Sequence, residues 1–344
     1  MRRIAIGDIH LSAYKDDPIG ESNLPKRLHD LDIVLRKICD FATENNIGNI
    51  DILGDLNNDK DVIYTDAQNV FKDILMNYSD IEFLLISGNH DLSSTGEHQT
   101  SSVSAFEGYS NVTCITSLVQ IDNLTIVPFS GTMIEELHEC EPSDILLSHF
   151  GLSEGVLQSG ISIITDIKLK DLAKYKLVLL GHYHKPQEIS NPNTQLYYTG
   201  NLIHTTWNDK NETKRFLVYD TETLQVASIE LSGFQEYREF IIEDEASVKK
   251  ILDEADKARN EGHKVRIKKK FKGDIDSDLV IIDDTEVDVT QRGLSSTMTT
   301  DEKLKRYLEV KEIPEDEHEK YIEIAKRIIG KESQTVEKSV FTIE

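Results

Sequence analysis

The chain has 344 residues and a formal net charge of −24 at pH 7, and 38% of its residues are hydrophobic. Its length and ordinary apolar content predict a globular protein with one large domain and smaller additions. The acidic balance disfavours a general attraction to nucleic acid or anionic membranes. A phosphate-bearing substrate therefore needs either a local basic patch or bound metal.

The sequence also disfavours the membrane and disulfide-rich classes of protein. No apolar stretch approaches the length that crosses a bilayer, and the N-terminus enters a strand-like run directly, without a signal peptide. Cys39, Cys114 and Cys140 are scattered, lack metal-binding spacing and are odd in number, which disfavours a disulfide framework. We therefore expect a cytoplasmic protein with no membrane association.

Strand-like and helix-like segments alternate through the first two thirds of the chain. Helical spacing of apolar residues predicts helices at 26–42 and 62–78, and the turn at Asp122–Asn123 predicts a hairpin. The pattern indicates an α/β fold, a β-sandwich of mixed sheets flanked by helices. The predicted strands lie at 2–6, 50–53, 83–86, 145–148 and 177–180, with an antiparallel pair at 215–220 and 225–231.

The pattern changes near Gly233. An amphipathic helix is predicted at 245–261, before the basic run KVRIKKKFK (264–272) and two short strands at 279–282 and 286–289. These elements favour a small α+β capping domain. SSTMTT (295–300) is interpreted as a linker to two helices, at about 300–310 and 315–329, on either side of Pro314. The predicted domains are 1–232, 233–296 and 297–332, followed by a tail at 333–344.

Polar side chains follow five of the predicted strands, mostly just after a glycine. Ligands of open α/β sheets gather outside the carboxyl ends of strands, so we expect these side chains to meet. A mixture of imidazoles, carboxylates and an amide suits manganese, iron or zinc better than calcium or magnesium. Two such cations would lower the pKa of a bridging water and clamp a phosphate. The motifs are GDIH (Asp8, His10), GDLN (Asp55), GNHD (Asn89, His90, Asp91), SH (His149) and GHYH (His182, His184).

The ordered series GDIH, GDLN, GNHD, SH and GHYH resembles the signature of the calcineurin-like metallophosphoesterases. The resemblance implies two divalent metals with Asp55 as the bridge, manganese favoured and magnesium, iron and zinc as alternatives. It also implies that His90 contacts the phosphate and assists the leaving group, and that Asp91 orients His90. The implied ligands of one metal are Asp8, His10, Asp55 and His184, and those of the other are Asp55, Asn89, His149 and His182.

Within that superfamily the chain is more similar to SbcD-type DNA repair nucleases than to protein phosphatases, because it has GDLNND and GNHD where the phosphatases have GDxVDRG and GNHE. Its length and layout resemble the small subunit of the phage recombination endonuclease. The resemblance implies a DNA exonuclease and endonuclease, a homodimer, and an SbcC-type SMC-like ATPase partner bound by the C-terminal helices. For a phage protein the location is the host cytoplasm. Asn57 and Asn58 depart from the family, which often has an aromatic residue and then histidine or aspartate there.

The basic run offers a candidate DNA contact. In an extended strand its alternate side chains share one face, and an all-basic face in an acidic protein suits a DNA backbone. The alternative is a solvated edge strand whose lysines prevent aggregation. The candidate residues are Lys264, Arg266, Lys268, Lys270 and Lys272.

Two other functions remain open. A cyclic-nucleotide or small phosphodiester hydrolase of the same superfamily would use the same metal ligands without binding DNA. A non-catalytic scaffold that recruits an ATPase predicts decayed ligand positions, whereas every expected position here is filled.

Overall fold

The structure is a computed structural model that describes residues 1–20, 22–93, 99–160, 162, 164–283, 300–310, 313–314 and 318–322. It divides into two compact units, one formed by residues 1–238 and 258–264 and the other by 239–257 and the residues from 265 onwards.

The helices are α1 (Lys26–Glu44), α2 (Thr65–Asn77), α3 (Met133–Glu139), α4 (Val248–Asn260) and α5 (Thr300–Val310). The strands are β1 (Arg2–Ile6), β2 (Asn49–Leu53), β3 (Glu82–Ile86), β4 (Val112–Ile115), β5 (Val119–Ile121), β6 (Leu124–Val127), β7 (Ile145–His149), β8 (Leu177–Gly181), β9 (Gln187–Ser190), β10 (Gln195–Tyr198), β11 (Arg215–Asp220), β12 (Val226–Glu230), β13 (Tyr237–Ile242), β14 (Lys264–Lys269) and β15 (Val280–Asp283).

The first unit contains two six-stranded mixed sheets. Their strand orders are β12-β11-β1-β2-β3-β4 and β5-β6-β7-β8-β10-β9. Strands β1, β2 and β3 run parallel in the first sheet, and β6, β7 and β8 run parallel in the second. The antiparallel pairs β5–β6 and β11–β12 confirm the predicted hairpin and closing strands. The predicted α/β class is therefore confirmed.

The central strands are apolar on both faces because both faces are covered. In β8, Leu177 and Leu179 belong to the core between the sheets, whereas Val178 and Leu180 belong to the outer core of the second sheet. A strand buried on both faces gives a continuous apolar run rather than an alternating one. This double burial fixes the strand ends, from which the polar motifs project.

The outer face of the first sheet packs against α1 and α2. Leu31 and Ile38 of α1, and Phe71 and Leu75 of α2, are buried in one core with residues of β1, β2 and β3. The apolar stripe of each helix follows the 3.6-residue period from which both helices were predicted. These helices hold the sheet that carries three of the five polar motifs.

The second unit has its own small core. Buried Ile242, Ala255, Ile267 and Leu279 come from β13, α4, β14 and the segment before β15. Helix α5 confirms the predicted helix at 300–310, and residues 318–322 are helical. The predicted strand at 286–289, most of the linker and the rest of the last helix lie outside the described residues, and the predicted domain boundaries stay predictions. No helix among the described residues is both long and apolar enough to cross a membrane.

Candidate metal centre

All five polar motifs meet where the two sheets of the first unit come together. The first sheet supplies the loops after β1, β2 and β3, and the second supplies the end of β7 and the loop after β8. The loops after β1 and β2 are joined by backbone hydrogen bonds, from Asp8 N to Gly54 O (3.1 Å) and from His10 N to Asp55 O (3.0 Å). The candidate ligands that this arrangement assembles are Asp8, His10, Asp55, Asn89, His149, His182 and His184.

The first ligand set comprises Asp8, His10, Asp55 and His184. His10 Nε2 lies 2.9 Å from His184 Nε2, 3.6 Å from Asp55 Oδ2 and 4.0 Å from Asp8 Oδ1. His184 Nε2 is also 4.0 Å from Asp8 Oδ1. Four donors thus face a common point, as the sequence predicts.

The second ligand set comprises Asp55, Asn89, His149 and His182. His149 Nε2 lies 3.3 Å from Asp55 Oδ2 and 3.0 Å from Asn89 Oδ1. Asn89 Oδ1 is also 3.0 Å from His182 Nδ1. Asp55 Oδ2 therefore lies within 3.6 Å of a histidine of each set, which is the position of a bridging carboxylate.

The backbone turns sharply where the ligands leave their strands. Asp8, His10 and Asp55 have φ values of 52°, 53° and 52°, and His182 has a φ of 95°. Residues other than glycine rarely adopt this left-handed conformation, which costs about 1–3 kcal/mol each and is concentrated at functional sites. This conformation turns the chain at the strand ends, where these side chains meet.

Gly181 permits the close approach of the two sheets. A Cβ atom on Gly181 would lie 2.1 Å from Leu53 O and 2.7 Å from His149 Nδ1. His149 Nδ1 lies 2.8 Å from Leu53 O, so this hydrogen bond turns Nε2 towards the other donors. A side chain at residue 181 would push this contact apart.

We expect Gly181→Ala to weaken Mn²⁺ binding by about 10- to 100-fold, because it removes the bond that orients His149. Calorimetric Mn²⁺ titration measures the change, and circular dichroism checks that the variant is folded. Gly48→Ala is the matched control, since a Cβ atom there would meet no atom within 4 Å. Unchanged Mn²⁺ affinity in a folded Gly181→Ala protein would contradict this role.

Burial keeps three of the rings neutral. It lowers the pKa of His10 to about 3 and the pKa values of His182 and His184 to about 4, because it penalises the imidazolium. Burial also raises the pKa of the Asp8 carboxyl to about 7. A neutral ring offers a lone pair to a metal, and a nearby cation favours the ionised form of Asp8.

Asp55 and His149 form an ion pair. Burial lowers the pKa of His149, but the charge of Asp55, the hydrogen bond to Asp55 and the charge of Asp8 together raise it to about 9. Burial raises the pKa of Asp55, but the charge and hydrogen bond of His149, together with the charge of His10, lower it below its usual range. His149 Nε2 and Asp55 Oδ2 lie 3.3 Å apart and belong to the donors that would hold a divalent cation.

The donor set fits divalent metal binding. It combines four imidazoles with two carboxylates and one amide, which matches first-row transition metals better than calcium or magnesium. Both carboxylates, Asp8 and Asp55, are buried, so an unpaired charge would be costly there, and bound cations would balance the two carboxylates. The residues that would hold two cations are those of the first and second ligand sets, with Asp55 shared.

His90 is oriented differently from the prediction. Its Nδ1 donates a hydrogen bond to Asn58 O at 2.6 Å, and its backbone N–H donates to Asp55 Oδ1 at 2.9 Å. The prediction that Asp91 orients the His90 ring is wrong. Buried Asp91 accepts hydrogen bonds from the backbone N–H groups of Leu56, Asn57 and Gly88 (3.3, 3.0 and 2.9 Å), so it fixes the loops after β2 and β3.

A buried ion pair that the sequence analysis missed supports the loop beside His184. Lys214 is fully buried and donates to Asp209 Oδ1 at 2.7 Å, and it also contacts Asn201 and Glu212. A lysine in sequence predicts a surface position, so the only available signal is the density of polar residues at 204–214. The pair ties the loop after β10 to the start of β11.

The basic run is only partly the surface that was predicted. Strand β14 ends at Lys269, so the prediction that Lys270 and Lys272 continue its face is wrong. Lys264 donates to the Tyr237 hydroxyl at 2.8 Å, and Arg266 forms an ion pair with Glu239 (Nε–Oε2 2.6 Å). The contact of these residues and Lys268 with DNA stays a prediction.

Comparisons with known proteins identify one family. The model of the calcineurin-like phosphoesterase family matches residues 1–186. No curated protein matches the chain. Solved structures that resemble it include a novel archaeal phosphodiesterase (13% identity, 67% of this chain and 100% of that one, TM-score 0.35). They also include a dimetal phosphatase from Danio rerio (10% identity, 67% of this chain and 99% of that one, TM-score 0.40). A third is a hypothetical protein from Pyrococcus horikoshii (15% identity, 75% of this chain and 93% of that one, TM-score 0.37).

Proposed function

Since the chain belongs to the calcineurin-like phosphoesterase family, we propose that this metal-dependent phosphoesterase is a DNA nuclease of the SbcD type. Metal-dependent hydrolysis is supported above all by the position of Asp55 Oδ2, which lies 3.6 Å from His10 Nε2 and 3.3 Å from His149 Nε2. When bound, two divalent cations lower the pKa of a water molecule and neutralise charge on the phosphate. DNA is proposed as the substrate because the motifs and the domain layout resemble those of SbcD-type nucleases.

His90 is the proposed proton donor in this reaction. As water attacks the phosphorus, the bond to the leaving sugar oxygen breaks and that oxygen needs a proton. Because His90 Nδ1–H donates to Asn58 O, Nε2 faces away from that carbonyl, and a proton given from Nε2 comes from the imidazolium form. The bond to Asn58 also prevents the ring from rotating away from the donors of Asp55 and His10.

Further parts of the proposal follow the same resemblance. They are manganese as the activating metal, a homodimer, and an SMC-like ATPase that binds the C-terminal helices. In α5, Leu308 is buried and Leu304 is half-buried, and both lie on the apolar stripe of that helix. A pull-down with the candidate ATPase tests the partner, with a chain truncated before residue 297 as the control.

A hydrolase of cyclic nucleotides or other small phosphodiesters is the second candidate. It is favoured by the net charge of −24 and by the engagement of Lys264 and Arg266 with Tyr237 and Glu239. The same ligand sets serve both reactions.

A substrate comparison distinguishes the two candidates. The purified chain is assayed with Mn²⁺ on duplex DNA ends, single-stranded DNA, cyclic nucleotides and bis(p-nitrophenyl) phosphate, with EDTA as the control. The proposal predicts cleavage of both kinds of DNA at higher kcat/KM than the small esters. Hydrolysis of small esters with no action on DNA, in the presence and absence of the ATPase, would favour the second candidate.

A further inference from the structure

A cavity of about 540 Å³ opens beside the first ligand set, and its inner end is formed by His10 and His184. We call its outer part the lateral groove, lined by Tyr14, Lys15, Arg27, Tyr64 and Asn208. The metal ligands themselves account only for the inner end. The groove continues away from the site of phosphate hydrolysis and has space for a further part of the substrate.

We propose that the lateral groove binds the nucleotide next to the scissile phosphodiester, with Lys15 contacting its phosphate and Tyr64 packing against its base. This inference rests on the proposed nuclease function and specifies which residues favour a polynucleotide over a small ester. A nucleotide suits the groove because one unit of it combines an anion with a flat ring.

Lys15 supplies the positive charge. Its side chain is exposed, and it forms no ion pair with a carboxylate in the described part of the chain. Its Nζ lies over the Tyr64 ring, 5.9 Å from the ring centroid, so the cation and the aromatic surface are adjacent. Asp16 on the rim is acidic and exposed, so the groove suits one phosphate held by one lysine rather than a highly charged anion.

Arg27 has a different role, because its charge is already paired. Its Nε donates to Asp17 Oδ2 at 2.8 Å, and its guanidinium lies 4.6 Å from the centroid of the Tyr14 ring. The Tyr14 hydroxyl donates to the carbonyl oxygen of His10 at 2.5 Å. These contacts connect the groove wall to a metal ligand, so the wall and the catalytic centre keep a fixed spacing.

A second part of the groove lining is also held in place. The buried carboxylate of Asp209 accepts hydrogen bonds from the backbone N–H groups of Thr205 and Thr206, at 2.9 and 2.8 Å, and is paired with Lys214. This leaves the exposed side chain of Asn208 at the groove. Since these parts of the lining are held before a ligand binds, they lose little ordering free energy on binding.

The test compares a substrate that fills the groove with one that does not. Single-stranded oligothymidylate of ten nucleotides extends beyond the cleaved bond, whereas bis(p-nitrophenyl) phosphate ends there. For Lys15→Gln we expect kcat/KM on the oligonucleotide to fall about tenfold, with a shallower salt dependence by about 0.7 in log–log slope for one lost phosphate contact. We expect kcat/KM on the small ester to stay within about twofold, since only the distal contact is lost.

Tyr64→Leu tests the ring, and we expect about a tenfold loss on the oligonucleotide alone, because a base loses its stacking surface. Lys72→Gln, on the exposed face of α2, is the control for charge. Binding of the labelled oligonucleotide in EDTA, measured by fluorescence anisotropy, gives a readout independent of turnover. There Lys15→Gln should weaken binding and Lys72→Gln should not.

Equal effects of Lys15→Gln on the two substrates, or none on either, would overturn the lateral groove as a nucleotide site while leaving the nuclease proposal intact. A wild-type chain that hydrolyses only the small ester would refute the nuclease proposal, and the inference would fail with it. The wild-type measurements therefore test the nuclease proposal, and the Lys15→Gln measurements test the lateral groove.

Discussion

Asp55→Asn is expected to abolish binding of both metals and to lower hydrolysis by about 10³-fold or more, about 4 kcal/mol of transition-state stabilisation. Asp55 Oδ2 lies near His10 in one ligand set and His149 in the other. An amide has no charge to balance two cations, and its nitrogen cannot serve as the second donor. Elemental analysis of metal per chain after dialysis, together with turnover, measures both effects.

Asp73→Asn is the matched control, because Asp73 lies on the exposed face of α2 and the substitution changes the net charge equally. It should keep the metal content and turnover of the wild-type chain. If Asp55→Asn retained two metals per chain with near-normal turnover, Asp55 would not be the bridge.

His90→Asn is expected to keep both metals and to lower DNA hydrolysis by about 10²- to 10⁴-fold, the usual contribution of a positioned proton donor. The backbone hydrogen bond from residue 90 to Asp55 does not depend on the ring, so the substitution leaves Asp55 in place. The loss should be much smaller on bis(p-nitrophenyl) phosphate, because p-nitrophenolate leaves without a proton. Metal content and the two turnover rates are measured on the same preparation.

The alternative role for His90 is that of a metal ligand, since His10, Asp55 and His90 present donor atoms within 4.8 Å of one another. Loss of one metal in His90→Asn would show that His90 is a ligand rather than a proton donor. His138→Asn, on an exposed stretch of α3, controls for the loss of a histidine and should change neither measurement.

The central strands and the meeting of the candidate metal ligands are predictable from the sequence for the same physical reason. Strands such as β7 and β8 are buried on both faces, so their sequences are continuous apolar runs. The polar residues at the ends of these runs are therefore easy to recognise in the sequence. Strands β9, β10 and β13 were missed because each mixes polar and apolar residues instead of forming a continuous apolar run. Their pairing depends on neighbours that are distant in sequence.

Interactions with backbone atoms could not be predicted from residue type. The carbonyl of Asn58 orients His90, and any residue has a carbonyl, so no pattern marks this role. Asp91 was assigned to His90 because it is adjacent in sequence, whereas its carboxylate reaches the backbone of Leu56 and Asn57. The lysine of the Lys214–Asp209 pair was unpredictable because only the fold removes it from water.

Anomalous diffraction from a crystal grown with excess Mn²⁺ tests the central claim most directly. The account predicts two manganese peaks about 3.5–4 Å apart, one within bonding distance of His10 and His184 and the other of His149 and His182, with Asp55 between them. Absence of manganese from the site, or a single ion that does not contact Asp55, would contradict it.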